Sequence, residues 1–323
     1  MSQNKRKVIL KAENLVKTFE VKISLFEKKK LYALNDISFE IYHGKTVALV
    51  GESGCGKTTL GKVISGLYQP DSGRLIFNNK DIAFLNPVKR GNIQKDIQMI
   101  FQDPYASLNP RKKIYTILEQ PLKRFTTLNK QERKEKIIEI CNDVGIDLSY
   151  LSRYPHQFSG GQRQRIAIAR VMILKPLLVI ADEPVSALDV SIQAQILNLL
   201  MELQEKISLT YLFITHDISV VKHISDFVAV MYLGEIVEFA PKNQLFKTPC
   251  HPYTKMLFEA VPDLNRPFLN EKILHTGEIP SPIDLPKGCF FFPRCPLKSK
   301  RCLDEKPVLK TISENHKVRC FKI

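Results

Sequence analysis

No stretch of this 323-residue chain is apolar for long enough to span a bilayer. The longest runs, such as Leu177 to Ala181, fall far short of the ~20 residues that a membrane helix needs. The start is equally uninviting as a secretory signal: Met1 to Lys11 is polar and basic, with no apolar h-region. A cytosolic chain is therefore expected. Heptads, internal repeats and low-complexity tracts are also missing, which argues against long coiled coils, repeat arrays and fibrous assemblies. Seven cysteines are an odd number for a disulfide framework, and the cytosol keeps thiols reduced.

What is present is ordinary for a globular protein: 44% hydrophobic and 25% charged residues exclude wholesale disorder. The length suits one large domain, or one domain with an appendage, and can bury a sizeable core. A formal net charge of +15 first suggests nucleic acid or an anionic membrane surface. Its distribution weakens that idea. Residues 1–30 carry nine basic and three acidic side chains, and residues 287–323 carry ten and three. The part between them holds 29 basic against 27 acidic groups and is nearly neutral.

Hydrophobic periodicity predicts strands at Val8 to Ala12 and Ile37 to Ile41, with Phe26 to Lys30 as a polar loop between them. Thr46 to Val50 reads as a short buried strand, followed by a glycine-rich turn and a helix from Lys57 to Leu67. Asp71-Ser72-Gly73 is a turn leading into another strand. Residues 104–175 show helical stretches, notably Lys130 to Val144 and Gly161 to Leu174, and no strong strand. Strand–helix alternation then returns from Leu177 to Tyr232, the pattern of a parallel sheet with crossover helices. The expected fold class is thus α/β, a phosphate-binding core with a β-subdomain and a helical insert over about 104–175. The expected division places this core in residues 1–262 and a Pro- and Cys-rich extension in 263–323.

Gly51-Glu52-Ser53-Gly54-Cys55-Gly56-Lys57-Thr58 fits G-x-x-x-x-G-K-[ST] and lies between a predicted strand and a predicted helix. Glycines let backbone N–H groups turn inward as an anion nest, and the helix start adds its dipole. Lys57 can reach β- and γ-phosphates, and the Thr58 hydroxyl, followed by Thr59, can hold Mg²⁺. Leu177 to Glu183 is an apolar strand ending in two carboxylates. Asp182 is a candidate Mg²⁺ ligand, and Glu183 a candidate general base for an attacking water. Ser159-Gly160-Gly161-Gln162 opens a long amphipathic helix and makes a second N-terminus able to hold phosphate. One nucleotide does not need two such sites in one chain, whereas two chains facing head to tail do.

The lysine loop, Gln102, Ser159-Gly160-Gly161-Gln162, Asp182-Glu183, Ser186-Ala187-Leu188-Asp189 and His216 together resemble the P-loop NTPases known as ATP-binding-cassette (ABC) ATPases. The resemblance implies that Gln102 senses Mg²⁺ and the attacking water and couples to membrane subunits. It implies that Ser159 and Gly161 contact the γ-phosphate of ATP held by a partner subunit. Asp189 is then part of the loop joining the two sites, and His216 the switch histidine beside Glu183. Phe19, after Leu15-Val16-Lys17-Thr18, is the expected aromatic for the nucleobase, with Tyr32 its competitor.

The likeness narrows further at Phe101 to Pro110, Tyr154 to Gln162, His251-Pro252-Tyr253-Thr254 and Gly277 to Pro282. These resemble ATP-binding subunits of oligopeptide and dipeptide importers, with Phe158 where many cassettes have leucine. That family implies ATP and Mg²⁺ as ligands and a second ATP-binding subunit, usually a paralogue. It also implies two membrane-spanning permease subunits, a substrate-binding protein, and a peripheral position on the cytoplasmic membrane face. Import of nickel or another small solute is the alternative. A nucleic-acid-associated ATPase is a more distant rival: the chain has a single lysine loop, and the 125 positions from Lys57 to Asp182 hold no heptads.

Cys289, Cys295, Cys302 and Cys320 form a C-x5-C-x6-C-x17-C series. Four thiolates on a proline-stiffened loop suit a tetrahedral zinc or a four-iron cluster. Zinc favours paired C-x₂₋₄-C knuckles, which are absent, and the wider gaps suit a larger cube. The resembling importer subunits carry a [4Fe–4S] cluster on this motif, which makes it the expected group, with zinc as the alternative and unligated thiols after that. Cys55, beside Lys57 at a helix start, is expected to have a lowered thiol pKa and to be modifiable without being catalytic.

Overall fold

A computed structural model describes residues 7–24, 27–85, 87–259 and 280–323. The chain opens with the antiparallel pair β1 (Val8–Lys22) and β2 (Lys28–Tyr42), then β3 (Thr46–Val50) and α1 (Lys57–Ser65). Next come β4 (Ser72–Phe77), β5 (Lys80–Asp81), α2 (Pro87–Gln94) and β6 (Ile97–Ile100). The helical insert holds α3 (Pro104–Ser107), α4 (Ile114–Phe125), α5 (Lys130–Val144) and α6 (Gly160–Met172). Alternation resumes with β7 (Leu178–Asp182), α7 (Val190–Ile207), β8 (Thr210–Ile214), α8 (Ile218–Ile224) and β9 (Phe227–Tyr232). β10 (Glu235–Pro241), α9 (Lys242–Lys247) and α10 (Pro252–Glu259) follow, and the tail adds α11 (Lys300–Asp304), β11 (Lys310–Ser313) and β12 (His316–Val318).

Two sheets result: a four-stranded one in the order β2-β1-β4-β5 and an eight-stranded one in the order β11-β12-β10-β9-β3-β8-β7-β6. Neighbours from β6 to β9 run parallel, and β10, β12 and β11 add antiparallel strands at the other end. Each central strand is buried on both faces, which is why these segments read as unbroken apolar runs. Alternate residues divide between packing layers. Leu178 and Ile180 of β7 face one cluster with Val47, Leu49, Leu212 and Ile214. Val179 and Ala181 face the layer of the insert, with Ile166, Ile140 and Leu118. A third cluster packs Val50, Val230 and Tyr232 against Tyr253, Phe290 and Phe291, so the tail is part of the core.

Two expectations change. Of the expected loop Phe26 to Lys30, Phe26 lies outside the described residues and Lys28 to Lys30 are strand: β2 starts at Lys28, which pairs with Lys22, in an antiparallel pair of two 15-residue strands. Cross-strand pairing through several register shifts carries the strands well past the short apolar alternation that marked them. Likewise the tail, poor in periodic segments, supplies two strands to the main sheet. The expected boundary at 262/263 and the motif Gly277 to Ile279 lie outside the described residues.

Candidate functional site at the carboxyl ends of the parallel strands

Ligands in open α/β sheets sit beyond the carboxyl ends of the strands, and four motifs converge there. β3 ends at Gly51, whose φ is +155°, and α1 starts after Gly56, whose φ is +107°. A Cβ on Gly51 would stand 2.1 Å from the Met231 carbonyl oxygen, and one on Gly56 2.1 Å from that of Ala33. Only glycine lets the loop run so close to other backbone. Gly56 also leaves α1 without a side-chain cap, so its first-turn N–H groups are available to an anion. Lys57 is buried, and its Nζ donates to the carbonyls of Gly51 (2.7 Å) and Glu52 (2.9 Å).

Thr58 Oγ1 donates to Asp182 Oδ1 at 3.1 Å, joining α1 to the end of β7. Burial raises the Asp182 pKa above the usual carboxylate value, while the Thr58 hydrogen bond works in the opposite direction. Hard oxygen donors gathered in this way fit Mg²⁺. Glu183 follows in the left-handed region, φ 46°, with its N–H on the Ile214 carbonyl. Such strain in a non-glycine residue is typical of functional positions. It turns the carboxylate between two neighbours: Gln102 Nε2 donates to Oε2 at 3.1 Å, and His216 Nδ1 lies 3.1 Å from Oε1. Two side chains from neighbouring strand ends thus fix the Glu183 carboxylate, an arrangement that suits a general base.

A cleft of about 560 Å³ contains most of these groups. Ser53, Gly54, Gly56, Lys57, Thr58 and Thr59 line it together with Gln102, Glu183 and His216. Phe19, Leu31 and Ala33 complete the lining; Phe19 and Leu31 are cross-strand partners. Tyr32 does not line the cleft, and its N–H donates to Pro282 O instead. Period-two alternation puts it on the other face of β2 from Leu31 and Ala33. Phe19 stands edge-on to Tyr68, centroids 5.4 Å apart.

Gly51, Glu52 and Cys55 belong to the loop but do not line the cleft. Glu52 turns away: its N–H donates to Tyr253 Oη at 2.9 Å, and its carboxylate meets Arg294. The lowered thiol pKa expected for Cys55 is overturned. Cys55 is only 5% exposed, and the loss of solvation raises its pKa against the weaker opposing pull of Lys57.

Ser159, Gly160, Gly161, Gln162 and Asp189 are absent from the lining of this cleft. Ser159 caps α6 in a reciprocal box: its Oγ accepts the Gln162 N–H at 3.4 Å, and Gln162 Oε1 accepts the Ser159 N–H at 3.1 Å. Asp189 precedes α7 without capping it. Gly161 packs against Ile192, where a Cβ would come within 2.6 Å of Cγ2.

The four tail cysteines are free thiols, and Cys289, Cys295 and Cys320 have raised pKa values, to which neighbouring tail cysteines add. Burial comes first in each case, and it pushes Cys289 up to about 11. Cys289 N–H donates to the Cys302 carbonyl at 2.8 Å. Among the described residues, the one group of three or more ligand atoms within 4.8 Å of each other is Glu238, Cys250 and His316. Hence no three tail sulfurs approach as closely as the ~4 Å implied by tetrahedral bonds of ~2.3 Å to zinc. The Glu238 group has a structural explanation: its carboxylate accepts the Cys250 and His251 N–H groups and meets His316 Nε2 at 2.8 Å.

Sequence reading missed Leu31, Tyr253 and Arg294 as neighbours of the site. Tyr253 stands inside the motif His251 to Thr254 and Arg294 directly before Cys295, but only the fold shows them reaching the lysine loop.

Comparison with known proteins agrees with this geometry. The ABC transporter family matches residues 34–186, and the oligopeptide/dipeptide transporter C-terminal region matches residues 237–302. The oligopeptide transport ATP-binding protein AppF of Bacillus subtilis is 47% identical, covering 99% of both chains. The dipeptide transport ATP-binding protein DppF of Haemophilus influenzae is 48% identical over 98% of this chain and 97% of its own. A dimeric structure of the ATP-binding cassette MJ0796, bound to ADP and Pi, superposes with a TM-score of 0.65 at 28% identity, covering 72% of this chain and 99% of that one. No helix among the described residues is long and apolar enough to cross a membrane. With its cassette motifs and its tail both accounted for, the chain belongs to the ABC ATP-binding proteins of the oligopeptide and dipeptide transporter family.

Proposed function

We propose that this chain is the ATP-hydrolysing subunit of an importer for di- or oligopeptides, peripheral to the cytoplasmic membrane face. The observation that carries the catalytic part is Glu183, held by Gln102 and His216 in the cleft that Lys57 lines. Phosphates would lie on the open start of α1, with Lys57 and the loop N–H groups opposing their charge. Thr58 and Asp182, with Gln102 nearby, would hold Mg²⁺, which neutralises phosphate charge when bound. Phe19 is the proposed nucleobase contact. Glu183 takes a proton from water while His216 and Gln102 keep its carboxylate aimed.

Ser159, Gly161 and Asp189 lie outside their own cleft, which supports pairing with a second cassette whose nucleotide they would meet. A paralogue is the proposed partner, alongside two permease subunits and a substrate-binding protein. A groove of about 350 Å³ beside Gln102, lined by Leu67, Phe101, Ile117 and Pro121 with Arg124 and Arg170, is the proposed seat of a cytoplasmic permease segment. Its continuity with Gln102 through Phe101 gives closure a path to the membrane subunits. Peptide cargo is favoured over nickel or another solute by the names of the relatives and by the family match of the tail.

For the tail we propose a [4Fe–4S] cluster on Cys289, Cys295, Cys302 and Cys320, tying the segment down. The wide sequence gaps between the cysteines, with no paired C-x₂₋₄-C knuckle, favour a cube over a single zinc ion. Iron and sulfide analysis of anaerobically purified protein separates the two. The catalytic reading is tested by Glu183→Gln. Nucleotide binding should persist while turnover falls by on the order of 10²–10³; ordinary ATPase activity in this variant would refute Glu183 as the base.

A further inference from the structure

The tail reaches the phosphate loop through one side chain. Arg294 forks onto Glu52, Nη1 to Oε2 at 2.8 Å and Nη2 to Oε1 at 2.9 Å, across 242 positions of sequence. Its side chain is 8% exposed, lies near the rings of Tyr232 and Phe291, and immediately precedes Cys295. Tyr253 Oη accepts the N–H of the same Glu52, so this loop residue is held at both ends by the carboxyl-terminal part of the chain. The tail in turn is bound to the core by Arg319 on Asp36 (3.1 Å), His316 on Glu238 (2.8 Å) and Lys306 on Glu235 (2.5 Å). Arg294 therefore acts from a fixed base.

We propose that Arg294 is a positioning residue for nucleotide binding, which neutralises and holds Glu52 so that the lysine loop presents a net positive charge to phosphate. Between Gly51 and Thr58 the charged side chains are Glu52 and Lys57, which cancel. A carboxylate in a loop built to receive an anion opposes that purpose. Pairing with a guanidinium removes the opposition and, because the contact is bidentate, also fixes where the carboxylate points. The tail thereby tunes the affinity of the cleft for di- and triphosphates without touching the nucleotide.

This inference rests on the nucleotide reading of the cleft, and the experiment keeps the two apart. Binding of a fluorescent ATP analogue to the full chain is titrated for wild type, Arg294→Gln, Arg294→Lys and the double variant Glu52→Gln/Arg294→Gln. Loss of Arg294 should weaken binding about tenfold, with kcat at saturating ATP nearly unchanged, because the pair acts on the loop's charge and not on Glu183. Arg294→Lys keeps the charge and loses the fork, so it should fall between. The double variant should return close to wild type. A purely structural role for the tail predicts instead that the double variant binds as poorly as Arg294→Gln, and that result overturns the proposal, as does unchanged binding by Arg294→Gln. If wild type itself fails to bind the analogue, the nucleotide reading falls first.

Discussion

Two helices of this chain begin at glycine-rich segments, and they treat their first-turn N–H groups in opposite ways. α1 is preceded by Gly56, has no capping side chain and opens into the cleft. α6 is preceded by Ser159 and closes its own first turn through the Ser159–Gln162 box. Unmet N–H groups are costly unless water or a ligand takes them. The open start suits an anion bound by the same chain. The closed start has met its own needs within the chain. Of the two bonds in the box, the one to Ser159 Oγ is the longer, at 3.4 Å against 3.1 Å.

The largest effect expected from breaking this contrast is at Gly56. Alanine there would push Cβ into backbone, 2.1 Å from the Ala33 oxygen, in a conformation that L residues avoid. Neither side is a flexible side-chain tip that can swing away. The loop must shift, at a cost on the order of 3 kcal/mol, or about 100-fold in nucleotide affinity. Equilibrium binding of a fluorescent ATP analogue to Gly56→Ala measures it, and near-normal affinity would show that the loop is not set by this approach.

Much of this contrast was legible without coordinates. The G-x-x-x-x-G-K-[ST] spacing located the open helix start, and Ser159 three residues before Gln162 is itself a capping signature. The segment Lys130 to Val144 is bounded correctly because caps mark both its ends. The long β1–β2 pair is not, since cross-strand pairing sustains strand where local alternation has stopped. Least legible were the links made by distance in sequence. Nothing local tells Arg294 that Glu52 is its partner, or that Cys55 lies under the loop and not on it. Charge pairing and burial at these positions come from topology, which brings β9 and the tail beside β3.

Ser159→Ala sharpens the contrast from the other side. The loss of one cap should lower stability by about 1 kcal/mol, a shift of a few degrees in unfolding temperature. Nucleotide binding by a single chain should be unchanged, since Ser159 lies outside that chain's cleft. ATP turnover of the assembled transporter should drop at least about tenfold, because a γ-phosphate contact is lost across the interface. Equal losses in single-chain binding and in turnover would place Ser159 at its own site and break the two-chain reading.

A third helix start shows an effect that is absent at neutral pH and grows only in acid. His251 stands before Pro252, and its Nδ1 accepts the Tyr253 N–H of α10 at 3.1 Å. Only the neutral ring can accept there, and complete burial lowers its pKa to about 3, with a hydrogen bond to the Arg319 backbone opposing weakly. The unfolded chain, with an ordinary value near 6.5, binds the proton more readily. This contribution to stability is therefore full above pH 6.5 and is lost as pH falls from 6.5 toward 3, at up to ~1.4 kcal/mol per pH unit. His251→Asn keeps an acceptor suited to a helix start and cannot take the proton. Denaturant unfolding from pH 7 to pH 4.5 should show a shallower decline for the variant than for wild type. Parallel curves would mean that His251 is charged in the folded chain, and the N–H of Tyr253 would then need another acceptor.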